Sequence, residues 1–219
     1  MDAMPFKMLA VAFLLAAPAV GAETLLPQLR VEPKTAGSIF FVRNVSSQPL
    51  TAYVIELVNY PGSYYALWQD EIMSEAIPPG QEKRIEVANM TVGAVPDYVK
   101  IQGAIYADGS TAGVPDKVSQ LVDRRRFCLT TVRDMIRQLE AGRAASTPNE
   151  TVAANLRHAA EVMQAPPTAG KTAAIRVNQA AGKSLLAETA GYVEKHSLDE
   201  TLAKLHGWAK AMAESKPAL

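Results

Sequence analysis

The order of apolar and polar positions changes period once along the chain. From Leu29 to Gly113, short runs rich in Val, Ile, Tyr and Phe alternate with polar residues between turn formers, which predicts strands. Ser38-Ile39-Phe40-Phe41-Val42 is the first strong run, ended by the stretch Asn44 to Pro49. In Thr51 to Val58, Tyr53, Ile55 and Leu57 alternate with Ala52, Val54 and Glu56. Pro79 and Gly80 suit the central positions of a type II turn ahead of a strand from Gln81 to Ala88. In Tyr98 to Ala107, Val99, Ile101, Gly103 and Ile105 alternate with Lys100, Gln102 and Ala104, and Asp108-Gly109 then turns the chain.

From Asp116 the period is helical. Val118, Leu121, Val122, Cys128, Leu129, Val132, Met135, Ile136 and Leu139 share one face, and Gly142 is a natural stop. Thr147-Pro148-Asn149-Glu150 has the form of a capping box with proline at the first helical position. It opens a second helix with Val152, Leu156, Ala159, Ala160 and Met163 on its stripe, closed by Pro166-Pro167. A third helix is expected from Thr172 to Lys195, with Gly182 and Gly191 as weak points. Ser197-Leu198-Asp199-Glu200 is a second capping box and starts a fourth helix. The fold class expected is α+β by segregated halves. A small antiparallel immunoglobulin-like β-sandwich covers residues 23–115, and a four-helix region covers 116–219, with a long helix over 116–141 and three shorter ones. The paired cysteines of antibody domains are absent, since Cys128 is the single cysteine of the chain.

Residues 1–22 read differently. Met8 to Ala17 is almost wholly apolar and follows Lys7. Ten helical residues rise about 15 Å, half of a bilayer core of about 30 Å, so this is too short for a membrane span. With Pro18 and the small residues Val20, Gly21 and Ala22 after it, the segment reads as a signal peptide cleaved after Ala22. The expected location is periplasmic or secreted, with no transmembrane segment in the mature chain. Asn44, Asn89 and Asn149 each begin an Asn-x-Ser/Thr triplet, a pattern common by chance.

Composition adds exclusions. With 22 basic and 22 acidic residues, 48% hydrophobic and 20% charged, the chain is neither disordered nor a strongly basic nucleic-acid binder. The neutrality is unevenly shared. Glu23 to Asp116 holds 6 basic and 11 acidic residues, and Lys117 to Leu219 holds 15 basic and 10 acidic. Either the two halves dock with matched charge, or the difference reflects two independently solvated surfaces.

Few residues suggest chemistry. In Arg124-Arg125-Arg126, Arg125 falls in the middle of the apolar stripe. A charge there pairs with a carboxylate on the sandwich, snorkels to water, or contacts an anion; the ion pair is the preferred reading. Tyr60, Tyr64, Tyr65 and Trp68 crowd four aromatics into nine residues. Exposed, they form a platform for sugar rings or a partner protein; buried, they plug one end of the sandwich. Gly170-Lys171-Thr172 resembles the end of a phosphate loop, but Ala165 stands where the first glycine belongs. Cys128 lies on a buried stripe, as packing cysteines do. His158, His196 and His206 share no short metal-ligand spacing, so no metal or cofactor is expected.

The string Phe41-Val42-Arg43-Asn44, Pro49-Leu50-Thr51-Ala52-Tyr53, Pro79-Gly80-Gln81 and Ile105-Tyr106-Ala107-Asp108-Gly109-Ser110, leading into the arginine helix, resembles uncharacterised exported proteins of environmental bacteria, Acidobacteria in particular. The strand and turn order also looks like the first domain of periplasmic pilus chaperones, although a helical region follows here instead of a second sandwich. The resemblance implies a cell-envelope or secreted setting and no known activity. Three functions fit the sequence: a non-catalytic interaction or structural module of the envelope, which is preferred; a carbohydrate- or envelope-binding module using the aromatic segment; and a hydrolase with a dispersed site. The partners implied are an envelope protein or a polysaccharide and no nucleic acid, and the oligomeric state is left open.

Overall fold

Among the described residues, alternating apolar positions give seven strands: β1 (Gln28–Lys34), β2 (Gly37–Arg43), β3 (Leu50–Leu57), β4 (Ala66–Asp70), β5 (Glu82–Ala88), β6 (Val99–Tyr106) and β7 (Thr111–Gly113). The helical period gives α1 (Pro115–Ala144), α2 (Asn149–Val162), α3 (Thr172–Val193) and α4 (Leu198–Ala213). The structure is a computed structural model, and it describes residues 25–35, 37–58, 65–88, 98–163 and 172–219. The leader read over residues 1–22 and the Pro166-Pro167 stop lie outside the described residues, as does the Asn89 triplet.

The strands form two antiparallel sheets with orders β1-β2-β5 and β4-β3-β6-β7. This is the sandwich expected, with helices segregated to the C-terminal half. β4 pairs with β3 and not with β5, so the sheets have three and four strands. Phe40 and Val42 of β2, Tyr53 and Ile55 of β3, and Ile101 and Tyr106 of β6 fill the space between the sheets. Each such aliphatic or aromatic burial contributes about 1.5–3 kcal/mol.

The four-stranded sheet is covered on its outer face as well. Ala52, Val54 and Ile105 meet Leu121, Val118 and Val122 of α1 there, with Trp68 at the side. β3 is therefore buried along nearly its whole length despite its alternating sequence. Gly103 allows the close approach: a Cβ at that position would lie 3.3 Å from both Lys117 Cβ and Val118 N.

One feature of β6 corrects the sequence pattern. Val54 pairs with Gly103 but Ile55 pairs with Ile101, so Gln102 is an extra residue in the ladder. This β-bulge reverses the phase of the strand. Val99 and Ile101 face the sandwich core, whereas Ile105 faces α1. Strict alternation had put all three on one side. A second irregularity lies between Leu50 and Ala52 and leaves Thr51 unmatched. Turns behave as their residues dictate. Gln81 N–H donates to Pro78 O at 3.1 Å around Gly80, whose φ is 76°, and Gly109 turns the β6–β7 hairpin at a φ of 92°. Asn44 is fully buried; its amide donates to Gln48 O at 2.7 Å and to Ile77 O at 2.8 Å, which commits that side chain to the fold.

The helical half has its own core, built from Leu129, Val132 and Met135 of α1, Leu156 of α2, Leu186 of α3 and Leu205 of α4 among others. α1 runs through Gly142 rather than stopping there. The glycine serves a packing purpose, because Val152 Cγ2 lies 3.0 Å from where its Cβ would be. The chain turns instead at Ser146, at a φ of 54°. The start of α2 also differs from expectation: Pro148 is the N-cap and no side chain caps the helix. Asn149 instead donates its amide to Val193 O at 3.1 Å and His196 O at 3.0 Å, tying α2 to the end of α3. The Ser197–Glu200 capping box of α4 is fully formed. Gly182 sits where a Cβ would fall 2.8 Å from Met163 Sδ and 2.9 Å from Phe127 Cε1, so α3 needs a small residue there.

Candidate functional site

The most densely bonded polar groups lie at the end of β4, where two consecutive acids point to opposite sides of the sheet. Alternation along the strand sends Asp70 toward α1 and Glu71 toward the sandwich. The helical period brings Arg125 down onto the same place, at the centre of the buried stripe of α1.

Arg125 is 1% exposed. Its Nε donates to Asp70 Oδ2 at 2.9 Å and its Nη2 to Asp70 Oδ1 at 3.0 Å, a bidentate pair. Nη2 also reaches Thr51 Oγ1 at 3.3 Å, and Nη1 reaches Lys216 O at 3.3 Å. The unmatched Thr51 of β3 thus offers its hydroxyl to the guanidinium, while that hydroxyl donates to Ile105 O at 3.0 Å. One side chain ties together β4, β3, α1 and the segment after α4. A second pair lies one end of the seam away: Lys117 Nζ contacts Glu56 Oε1 at 2.5 Å and stands 5.8 Å from the centre of the Trp68 ring. Among the described residues, the two ion pairs joining strands to helices both run from a basic helix residue to an acidic strand residue. That polarity follows the uneven charge of the two halves.

Glu71 is 2% exposed and was not singled out by sequence. Its Oε1 accepts from Tyr53 OH at 3.3 Å, and its Oε2 accepts from Ser74 Oγ at 2.9 Å and Lys83 Nζ at 2.5 Å. It links the two sheets, since Tyr53 lies on β3 and Lys83 on β5. Burial, and then the charge of Glu71, push the Tyr53 hydroxyl well above the usual tyrosine range. Ser74 and Lys83 also line an open cavity of about 270 Å³ together with Ile77, Pro78 and Gln81. The acidic dipeptide after Trp68-Gln69 was the available signal, but its meaning depends on β4 being a strand.

The aromatic segment is divided. Tyr60 and Tyr64 lie outside the described residues. Tyr65 packs against the sandwich core, and burial raises its hydroxyl pKa. Trp68 packs on the other face, against the α1 side, with its Nε1 buried and unpartnered among the described residues. Three positions apart on a strand means opposite faces.

The other candidates are separate from one another. Cys128 is buried, and burial pushes its thiol up to about 11, so it stays protonated at neutral pH. His196 stacks on Tyr192 with ring centres 3.7 Å apart, and its Nδ1 lies 3.0 Å from Tyr192 O. His158 and His206 are on exposed helix surfaces. Among the described residues, no group of three His, Cys, Asp or Glu is placed to hold a metal ion. Of Gly170-Lys171-Thr172, the first two residues lie outside the described ones. Among the described residues, no helix is long and apolar enough to cross a membrane.

Comparison with known proteins adds no relative: no protein-family model, no curated protein and no solved structure matches the chain.

Proposed function

We propose that this chain is an exported, non-catalytic module of the cell envelope whose sandwich makes contacts with another protein and whose helices brace it. The observation that carries the reading is the contrast between the two outer sheet faces. The face of β4-β3-β6-β7 is closed by α1 and pinned by Arg125. The face of β1-β2-β5 presents Arg30, Glu32, Lys34, Arg84 and Glu86 around Ile39 and Phe41, with Arg30 lying 3.7 Å above the Phe41 ring. A mixed-charge surface with an aromatic centre on a braced scaffold suits protein recognition. Three of the polar or nucleophilic groups among the described residues are engaged in the fold. Arg125 and Glu71 hold elements together, and Cys128 is buried. Tyr65 and Trp68 face opposite ways, an arrangement that a shared sugar platform does not use.

The test is site-specific photocrosslinking in the producing cell, with the probe at Phe41 and, as a control, at the exposed helix position Arg133. A discrete adduct from Phe41 that is absent from Arg133 supports the reading. Equal adducts from both positions, or retention of the chain in the cytoplasm, overturn it.

A further inference from the structure

Among the described residues, the sandwich has four sheet edges, and three of them are defended. An edge strand presents unpaired N–H and C=O groups, and proteins blunt such edges with charge, proline or shortness. β1 carries Arg30, Glu32, Pro33 and Lys34. β5 carries Glu82, Lys83, Arg84 and Glu86. β7 is three residues long and runs directly toward α1. β4 reads Ala66-Leu67-Trp68-Gln69-Asp70, with no proline and no lysine. Its one charge, Asp70, is neutralised by Arg125.

The backbone of β4 is oriented to accept a strand. Leu57 N–H donates to Tyr65 O at 3.1 Å, and Glu71 N–H donates to Thr51 O at 2.7 Å. The odd-numbered residues of this segment therefore bond to β3. By strand alternation the N–H and C=O groups of Ala66 and Trp68 point away from the sheet. All five residues are half-buried and keep part of their surface.

We propose that this edge is the interface for a second copy of the chain, joined as an antiparallel β4–β4 pair about a two-fold axis at Trp68. Self-pairing is compatible with the charges on this edge. About Trp68, Ala66 lies opposite Asp70 of the second copy and Leu67 opposite Gln69, so no like charges meet. A two-fold on β5 about Arg84 sets arginine against arginine and Glu82 against Glu86; one about Ile85 sets Arg84 opposite Glu86, but it keeps Glu82, Lys83, Arg84 and Glu86 along the ladder, the charges that guard an edge. On β1 a two-fold brings Pro33, which has no N–H, into the ladder. The two four-stranded sheets would become one of eight strands, an isologous contact that closes on itself.

Sedimentation velocity of the purified protein across the micromolar range is expected to show the mass doubling as concentration rises. Ala66→Pro removes an outward N–H at the first residue of β4, where the β3 ladder does not need it. That variant should stay monomeric with an unchanged melting temperature. Should it fail to fold, hydrogen exchange on the wild type decides the matter: the Ala66 and Trp68 amides are expected to become protected at high concentration, ahead of those on β1 and β5. A monomer at every concentration overturns the proposal, even if an extended peptide binds. So does a dimer in which those two amides exchange as fast as in the dilute protein.

Discussion

The two outer faces of the sandwich are built from the same chemistry. Each has an arginine paired with a carboxylate and a cation near an aromatic ring: Arg125–Asp70 and Lys117 by Trp68 on the four-stranded sheet, Arg30–Glu82 and Arg30 over Phe41 on the three-stranded one. They differ in what lies above. The side chains of Arg125 and Asp70 are 1% and 10% exposed, whereas those of Arg30 and Glu82 are 52% and 38% exposed. A pair in water contributes little, and its members can be removed singly. A buried pair was desolvated on folding, so removing one partner strands the other. The contrast teaches that these pairs should be ranked by their cover, and it can be broken experimentally from the covered side outward.

The largest effect is expected at the joint. Asp70→Ala leaves the Arg125 guanidinium buried beside Thr51 and should cost about 3–5 kcal/mol, a fall in melting temperature of roughly 6–20 °C. The double variant Asp70→Leu with Arg125→Met removes both charges and should return to within about 1 kcal/mol of the wild type. A thermal melt distinguishes the two. If Asp70→Ala melted like the wild type, the two faces would be energetically equivalent and the ranking by cover would fail.

This joint also shows what sequence could and could not reveal. Arg125 was visible because a helix fixes direction locally: a charge on the middle of an apolar stripe must be buried or snorkelled. Asp70 was not visible as its partner, because that needs the five residues of β4 to be recognised as a strand. Their composition, with Gln69 and Asp70 in a row, lacks the usual β-branched signal. The same gap concealed the aromatic segment. Once β4 is a strand, the parity of Tyr65 and Trp68 separates them. Other misses are tertiary. The bulge at Gln102 is the exception, since Gly103, an isolated glycine inside a strand run, is a local sign of one; Thr147 matched a capping box whose asparagine is used against α3 instead. What held was periodicity over long stretches, the Pro79-Gly80 turn and the Ser197–Glu200 cap, where the bonding partners are near in sequence.

A smaller loss is expected where α1 lies closest to the sheet. Gly103→Val adds atoms where even a Cβ lies 3.3 Å from the Val118 backbone nitrogen. The helix must move, at about 1–3 kcal/mol. Hydrogen exchange should then rise in β6 and in the first turns of α1 more than in β1 or β2. An equal rise in all four would mean that the two faces are not independently covered. Lys117→Ala follows, at about 1–2 kcal/mol, because it removes a charged donor from the buried Glu56. Urea melts with an unchanged slope would locate the loss in the native state.

The smallest effect belongs to the open face. Lys34 donates to Glu86 at 2.8 Å, and that hydrogen bond, with a further one from Arg84, holds the Glu86 carboxyl below the usual carboxylate range. A carboxylate whose folded-state pKa is depressed contributes stability above its unfolded value and loses it as pH falls through the folded value. The contribution here is screened on both sides, so Lys34→Ala should leave the melting temperature unchanged. It should still raise the Glu86 midpoint in an NMR titration, and salt should raise it in the wild type by the same mechanism. Salt should leave the melting of the Asp70–Arg125 joint almost untouched, because the pair is nearly covered and little screened. If added salt weakened the joint and spared Glu86, the division between a covered and an open face would be reversed.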